Sequence, residues 1–212
     1  MLYECYRTFY HPSNMTLLVV GDVSGREVAD RAWARLDNRD FGPSPTVEKM
    51  RPEEPGSIGA RRVEKRMAVS EPIVCFGYKD PAVGVLGQPL MRRIIGMEML
   101  MHMLAGKSSV LYNSLYEEGL IDASFDWDYD CEHDYGFAMF EGRSDSPDRL
   151  VERVARGIDS FLSAGVDPAE FERTRRRVIG SMLRSFDSLE FIAYTFLTYH
   201  FRNMRLIESV DV

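Results

Sequence analysis

Cysteine is scarce: Cys5, Cys75 and Cys131 are the only three in 212 residues, odd in number and far apart, with no C-x-x-C pair. That spacing excludes a disulfide framework and a thiolate zinc site, and it fits a reducing cytoplasm. Histidine is also sparse. A hydrolytic zinc site on a helix needs two histidines one turn apart and a carboxylate to polarise the metal-bound water. His11, His102, His133 and His200 fall in different segments, and none belongs to an H-E-x-x-H or H-x-x-E-H run. No apolar run is long enough to cross a bilayer, and the first residues lack the charged-then-apolar order of a signal peptide. Positive charge is not in excess either. With a formal net charge of -7, the average surface repels phosphate backbones and anionic lipid, so neither nucleic acid nor membrane is an expected partner.

Apolar residues make up 45% of the chain and charged residues 28%, too apolar for disorder and sufficient for one core, so a single domain over 1–212 is expected. Leu2, Tyr3, Tyr6, Phe9 and Tyr10 recur at helical spacing with no capping residue ahead of them, as in a helix cut from a longer one. Met15 to Val20 reads as a buried strand ended by Gly21-Asp22, and a helix from Ser24 to about Leu36 follows, with Val28, Ala32 and Leu36 on one face. Residues 42–57, rich in proline, form a long surface connection.

Two strands are expected over about 60–69 and 71–79, paired with each other, then a Met-rich helix over 89–104. Gly106-Lys107-Ser108-Ser109 breaks that helix and caps another, Val110 to Glu118, which Gly119 ends. Residues 123–131 and 134–142 alternate as two more strands. Ser146-Pro147 opens a helix with Leu150, Val154, Ile158 and Phe161 inward, Asp167-Pro168 opens another, and a last helix runs from Ser188 to about Arg205. Strands in pairs between helices predict an α+β fold, with an antiparallel or mixed sheet carrying helices mainly on one face.

Several clusters invite chemical readings, each with a plainer alternative. Glu98 and His102 share a helix face, but two ligands are too few for a tetrahedral metal site, and an ordinary hydrogen bond is the simpler role. Asp126, Asp128, Asp130, Glu132 and Asp134 alternate, so on a strand all five carboxylates point to one side. A calcium loop is excluded because Cys131 stands where its glycine belongs and Phe137 where its glutamate belongs. What remains is a solvated acidic face or a surface that attracts a basic partner or peptide. Gly21 to Gly25 lacks both phosphate-loop patterns and reads as a turn and helix cap, while Arg173, Arg175, Arg176 and Arg177 read as a solvated helix face. Gly106 to Ser109 is either a helix-to-helix turn or a place where amides and a lysine meet a carboxylate or another domain.

Read together, Phe9-Tyr10-His11-Pro12-Ser13-Asn14-Met15, the run into Val20-Gly21-Asp22-Val23, and Gly106-Lys107-Ser108-Ser109-Val110-Leu111-Tyr112 resemble the second domain of pitrilysin/insulinase-like zinc peptidases, nearest to bacterial processing-peptidase-like subunits. Gly119-Leu120-Ile121, Tyr135-Gly136-Phe137 and the stretch from Phe171 through Gly180 to Phe191 extend the likeness in the same order. The resemblance implies a ferredoxin-like-related, metal-free domain, with zinc and the H-x-x-E-H motif carried by an amino-terminal catalytic domain outside this chain. It implies a wall of a substrate chamber, with that domain, a sibling subunit or second copy, and a peptide substrate as partners.

Active relatives are implied to place an arginine and then a tyrosine in this domain, holding substrate near the zinc. Aligned from Ser108-Ser109, those positions are Tyr116 and, after a gap, Asp122. The chain departs from the pattern there, so no residue of it is expected to be catalytic. Gly106, Lys107, Ser108, Ser109, Tyr116 and Asp122 remain candidate substrate or partner contacts. The rival reading is a scaffolding protein of the same fold with no peptidase activity, whereas an independent Ser, Cys or Asp enzyme has no assembled triad or dyad to support it.

Overall fold

The computed structural model describes residues 1–48, 50 and 55–206. By backbone proximity the chain divides into two compact units, Met1–Pro52 with Ser185–Thr198, and Glu53–Arg184 with Tyr199–Val212.

In the first unit, α1 (Leu2–Phe9) has no side-chain cap at its start, and Tyr6 stacks on Tyr10 with ring centroids 5.2 Å apart. Asn14 Nδ2 then donates to the Phe9 carbonyl at 3.0 Å and closes the turn that follows. Helix α2 (Gly25–Asp37) begins at Ser24, whose hydroxyl accepts the Glu27 amide at 3.4 Å. Val28, Ala32 and Leu36 are the half-buried residues of this helix, the row that helical spacing selects.

The strand expected over Met15 to Val20 does not form, and Met15, Leu17 and Val19 are exposed. A strand exists only when its amides and carbonyls meet a neighbour's. An apolar run signals that it can be buried without supplying that neighbour. The expected connection over 42–57 has no helix or strand in its described residues; 49 and 51–54 lie outside them.

The second unit is built on a three-stranded antiparallel sheet in the order β1-β3-β2, with β1 Ile73–Lys79, β2 Asp126–Cys131 and β3 Gly136–Arg143. Val74 stands opposite Gly142, Phe76 opposite Phe140, and Trp127 opposite Phe140 from the other side. These residues share one face and point into the core, where Phe76 and Phe125 stack on Phe140 at 5.4 and 6.3 Å. Helices α3 (Gln88–Ala105), α4 (Val110–Glu117) and α5 (Pro147–Ala164) supply the rest through Leu104, Leu115, Leu150 and Val154. Ile158 and Phe161 pack against that core at the predicted inward positions.

Beyond α5 comes α6 (Pro168–Ser185), while α7 (Leu189–Phe201) lies in the first unit up to Thr198 and in the second from Tyr199. A smaller second core joins Leu90, Met91, Cys131 and Met204. Among the described residues no helix is long and apolar enough to cross a membrane.

Three expectations need correction in this unit. Residues 60–69 form no strand, and β1 pairs with β3 instead of with that segment. Arg61, Arg62, Glu64, Lys65 and Arg66 keep the segment exposed, whereas β3 offers Phe140 and Gly142 to the apolar face of β1. Strand β2 starts at Asp126, not 123, because the Asp122 carboxylate accepts the Ser124 amide at 2.8 Å and turns the chain there. Helix α7 ends at Phe201, short of Arg205, since Asn203 takes a left-handed conformation at φ 55°.

Candidate functional site

The α3–α4 junction is half inside and half outside. Gly106 is buried and ends α3, its amide donating to the His102 carbonyl at 3.1 Å, and a Cβ placed on it would overlap that same carbonyl oxygen. Ser109, only 2% exposed, is the N-cap of α4: its amide donates to the Gly106 carbonyl at 2.7 Å and its hydroxyl accepts the Tyr112 amide at 3.0 Å. Lys107 and Ser108 lie outside, and Val110, at 89% exposure, presents an apolar side chain to solvent beside them. Gly106 and Ser109 therefore build the corner, and Lys107, Ser108 and Val110 are the groups it displays.

At the other end of α4, Tyr116 is exposed and stacks on Tyr112 with centroids 6.4 Å apart. Gly119, at φ 65°, closes the helix, and the Leu120 amide returns to the Leu115 carbonyl at 3.0 Å. Asp122 is committed to its turn, accepting from both the amide and the hydroxyl of Ser124, which hold its carboxyl below the usual carboxylate range with help from the Arg143 charge. A phenol and an anionic carboxylate thus stand at the two positions singled out by alignment. Neither offers positive charge to a developing oxyanion.

The sheet's second face carries Asp126, Asp128 and Asp130, with Glu141 of β3 directly opposite Asp126. Five carboxylates on one side were expected, but β2 ends at Cys131, so Glu132 and Asp134 leave the row. Glu132 instead accepts from Arg202 Nε at 2.9 Å, and Asp130 accepts from the Tyr135 hydroxyl at 3.2 Å.

Glu98 and His102 approach to 4.0 Å on α3, and the imidazole meets the Trp127 ring edge-on at 4.8 Å. Burial holds the His102 pKa below its ordinary value, with the Arg177 charge adding to the effect, and burial raises that of Glu98. Arg175 and Arg176 both pair with Glu172, at 2.9 and 3.0 Å. The Gly21 to Gly25 segment serves as turn and cap for α2. No three of His, Cys, Asp and Glu among the described residues are grouped to hold a metal ion.

Two ionic clusters escaped the sequence reading. Asp80 accepts from the Tyr129 hydroxyl at 2.6 Å, Arg93 Nε at 2.8 Å and the Ala82 amide at 2.9 Å. Glu118 is held by Arg149 at 3.2 Å and by Arg153 Nε at 2.9 Å, which ties α4 to α5. Each joins residues distant along the chain and carries no local signal.

Comparison with known proteins places this geometry. The family described as peptidase M16 inactive domain matches residues 1–178. The uncharacterised zinc protease YmfH of Bacillus subtilis is 34% identical over 214 residues, taking in 100% of this chain and 49% of that protein. The zinc protease PqqE of Helicobacter pylori is 23% identical over 202 residues, 92% of this chain and 44% of the relative.

The crystal structure of an M16-like peptidase from Alicyclobacillus acidocaldarius matches with a TM-score of 0.86 at 32% identity, covering 99% of this chain and 50% of that one. A protease from Helicobacter pylori shares the fold with a TM-score of 0.78 at 21% identity, covering 99% and 51%. The chain spans about half the length of each of these relatives. With the inactive-domain match running unbroken through residues 1–178, the chain belongs to the peptidase M16 inactive-domain family.

Proposed function

We propose that this chain is the non-catalytic, carboxyl-terminal half of a zinc-dependent peptidase subunit, a single functional domain that forms one wall of a substrate chamber. The observation that carries this reading is the inactive-domain match over residues 1–178, in a chain that covers half of relatives named as zinc proteases. The parent subunit hydrolyses peptides in the cytoplasm, its zinc held by an amino-terminal domain and its second half supplied here. Lys107, Ser108, Val110 and Tyr116 are the contacts offered to that domain, or to a sibling subunit or second copy, because they are exposed beside buried residues that fix the corner.

The test mixes the purified chain with the separately produced zinc-bearing half and follows cleavage of an unstructured peptide. The chain alone, supplied with zinc, is expected to leave the peptide intact, and the mixture to cleave it once the sibling subunit is added. Cleavage by the chain alone would sink this reading. Stable association without cleavage, even after the sibling is added, would favour a scaffolding protein of the same fold.

A further inference from the structure

Among the described residues of 1–48, none is buried. Apolar side chains are nevertheless plentiful there. Leu2, Tyr6 and Phe9 share one face of α1 and all stand exposed, and Trp33 of α2 is exposed as well. The inward row of α2, Val28, Ala32 and Leu36, reaches only half-burial. Contiguous apolar surface of this kind marks an interaction site.

Met15 to Val20 is where the chemistry is most specific. Met15, Leu17 and Val19 are exposed while Leu18 and Val20 are half-buried, the alternation of a strand. Met15 is already extended, at φ -120° and ψ 146°. Among the described residues, Thr16 to Val20 make no backbone–backbone hydrogen bond. The 60–69 segment is unpaired too, but its arginines, lysine and glutamate keep it solvated, whereas Met15 to Val20 contains no charged residue. An uncharged strand with free amides and carbonyls is a template for pairing with another chain segment.

We propose that Met15 to Val20 adds as a strand to an open sheet edge of the parent subunit's amino-terminal half, and that this half also covers the apolar face of α1. Main-chain hydrogen bonds would hold the strand, and Met15, Leu17 and Val19 would fill pockets beside that edge. The proposal rests on the reading of this chain as the carboxyl-terminal half of a longer subunit, which its span of about half of each relative supports. On that reading residues 1–48 adjoin the amino-terminal half along the sequence. The strand therefore meets that half at a high effective concentration, which a second copy of this chain does not match.

Hydrogen exchange of the amides of residues 16–20, measured in this chain alone and in the full-length parent subunit, tests the pairing. The amides of β3 serve as a reference that stays protected in both. Residues 16–20 should exchange freely in the chain alone and at least about a hundredfold more slowly in the parent. Leu17→Asp in the parent should remove that protection and leave β3 protected; should the variant fail to fold, the comparison of unaltered chain and parent decides alone. Exchange that is equally fast in both would overturn the proposal. Protection already present in the isolated chain and rising with its concentration would overturn it in favour of a second copy. Protection in a parent that cleaves no peptide would support the strand pairing and remove the peptidase reading, so the two fail separately.

Discussion

Asp80 is a carboxylate whose side chain is only 8% exposed, and it keeps its charge because its surroundings were arranged for an anion. Burial alone would raise its pKa, but hydrogen bonds from Arg93, Tyr129 and the Ala82 amide bring it below the ordinary range. The same arrangement raises the Tyr129 phenol, first by burial and then because Asp80 prefers it protonated. Removing one partner leaves a charge without a counterpart, which costs more than the bond itself contributes. Arg93→Met is therefore expected to destabilise by about 2 kcal/mol or more, and Tyr129→Phe by about 1 kcal/mol. Urea unfolding measures both, and equal effects would show that the cluster is not organised around Asp80.

His102 and Glu98 pull in opposite directions with pH. Burial lowers the histidine's folded pKa, so the unfolded chain binds more protons, and the His102 contribution to stability falls as pH drops below the ordinary 6.5. Burial raises the folded pKa of Glu98, so its contribution is fully present below the ordinary 4.5 and is lost as pH rises through the raised value. His102→Gln should flatten the increase in stability between about pH 5 and pH 7. A slope that is unchanged in the variant would assign the dependence to other groups.

At the scale of elements, what was legible in the sequence is what each element carries within itself. Helices α2 and α5 were readable because their inward rows follow from spacing alone, and the caps Ser24 and Ser109 because a hydroxyl before a helix satisfies amides that nothing else reaches. The α4 cap makes a clean prediction: Ser109→Ala should cost about 1 kcal/mol, whereas Val110→Asp, on an exposed side chain, should stay within about 0.5 kcal/mol. If the corner is a docking surface, Val110→Asp weakens assembly and Ser109→Ala weakens folding, a separation that thermal unfolding and co-purification distinguish.

Gly106 is a poor probe of docking, since any side chain there first meets the His102 carbonyl. Pairing partners were not legible. The sequence neighbour of β1 is the 60–69 segment, yet β3, more than fifty residues on, takes its place, and Glu118 finds Arg149 and Arg153, 31 and 35 residues away. Such choices depend on which faces the whole chain has left to cover.

For the molecule as a whole, the candidate site was legible as a set of positions and not as a geometry. Alignment named Tyr116 and Asp122; the structure adds that Asp122 is held anionic by Ser124 and that Tyr116 stands exposed on α4. Peptide hydrolysis at zinc requires the scissile carbonyl to be held within reach and its developing negative charge to be met by donors. In the pattern that residues 108–122 resemble, an arginine and a tyrosine meet that need. An anionic Asp122 repels an oxyanion, and Tyr116 can donate one hydrogen bond but carries no positive charge. We propose that a peptidase built with this half depends on a sibling subunit to present the two missing groups, one subunit carrying the metal and the other the holding residues. Purified parent, zinc-loaded, should cleave peptide at least about a hundredfold faster when the sibling is added, the scale expected for an oxyanion donor gained. Replacing the sibling's arginine should return the rate to that of the parent alone. Full activity from the parent without a sibling would mean either that Tyr116 and Asp122 are wrongly aligned with the holding pair or that the chemistry does without it.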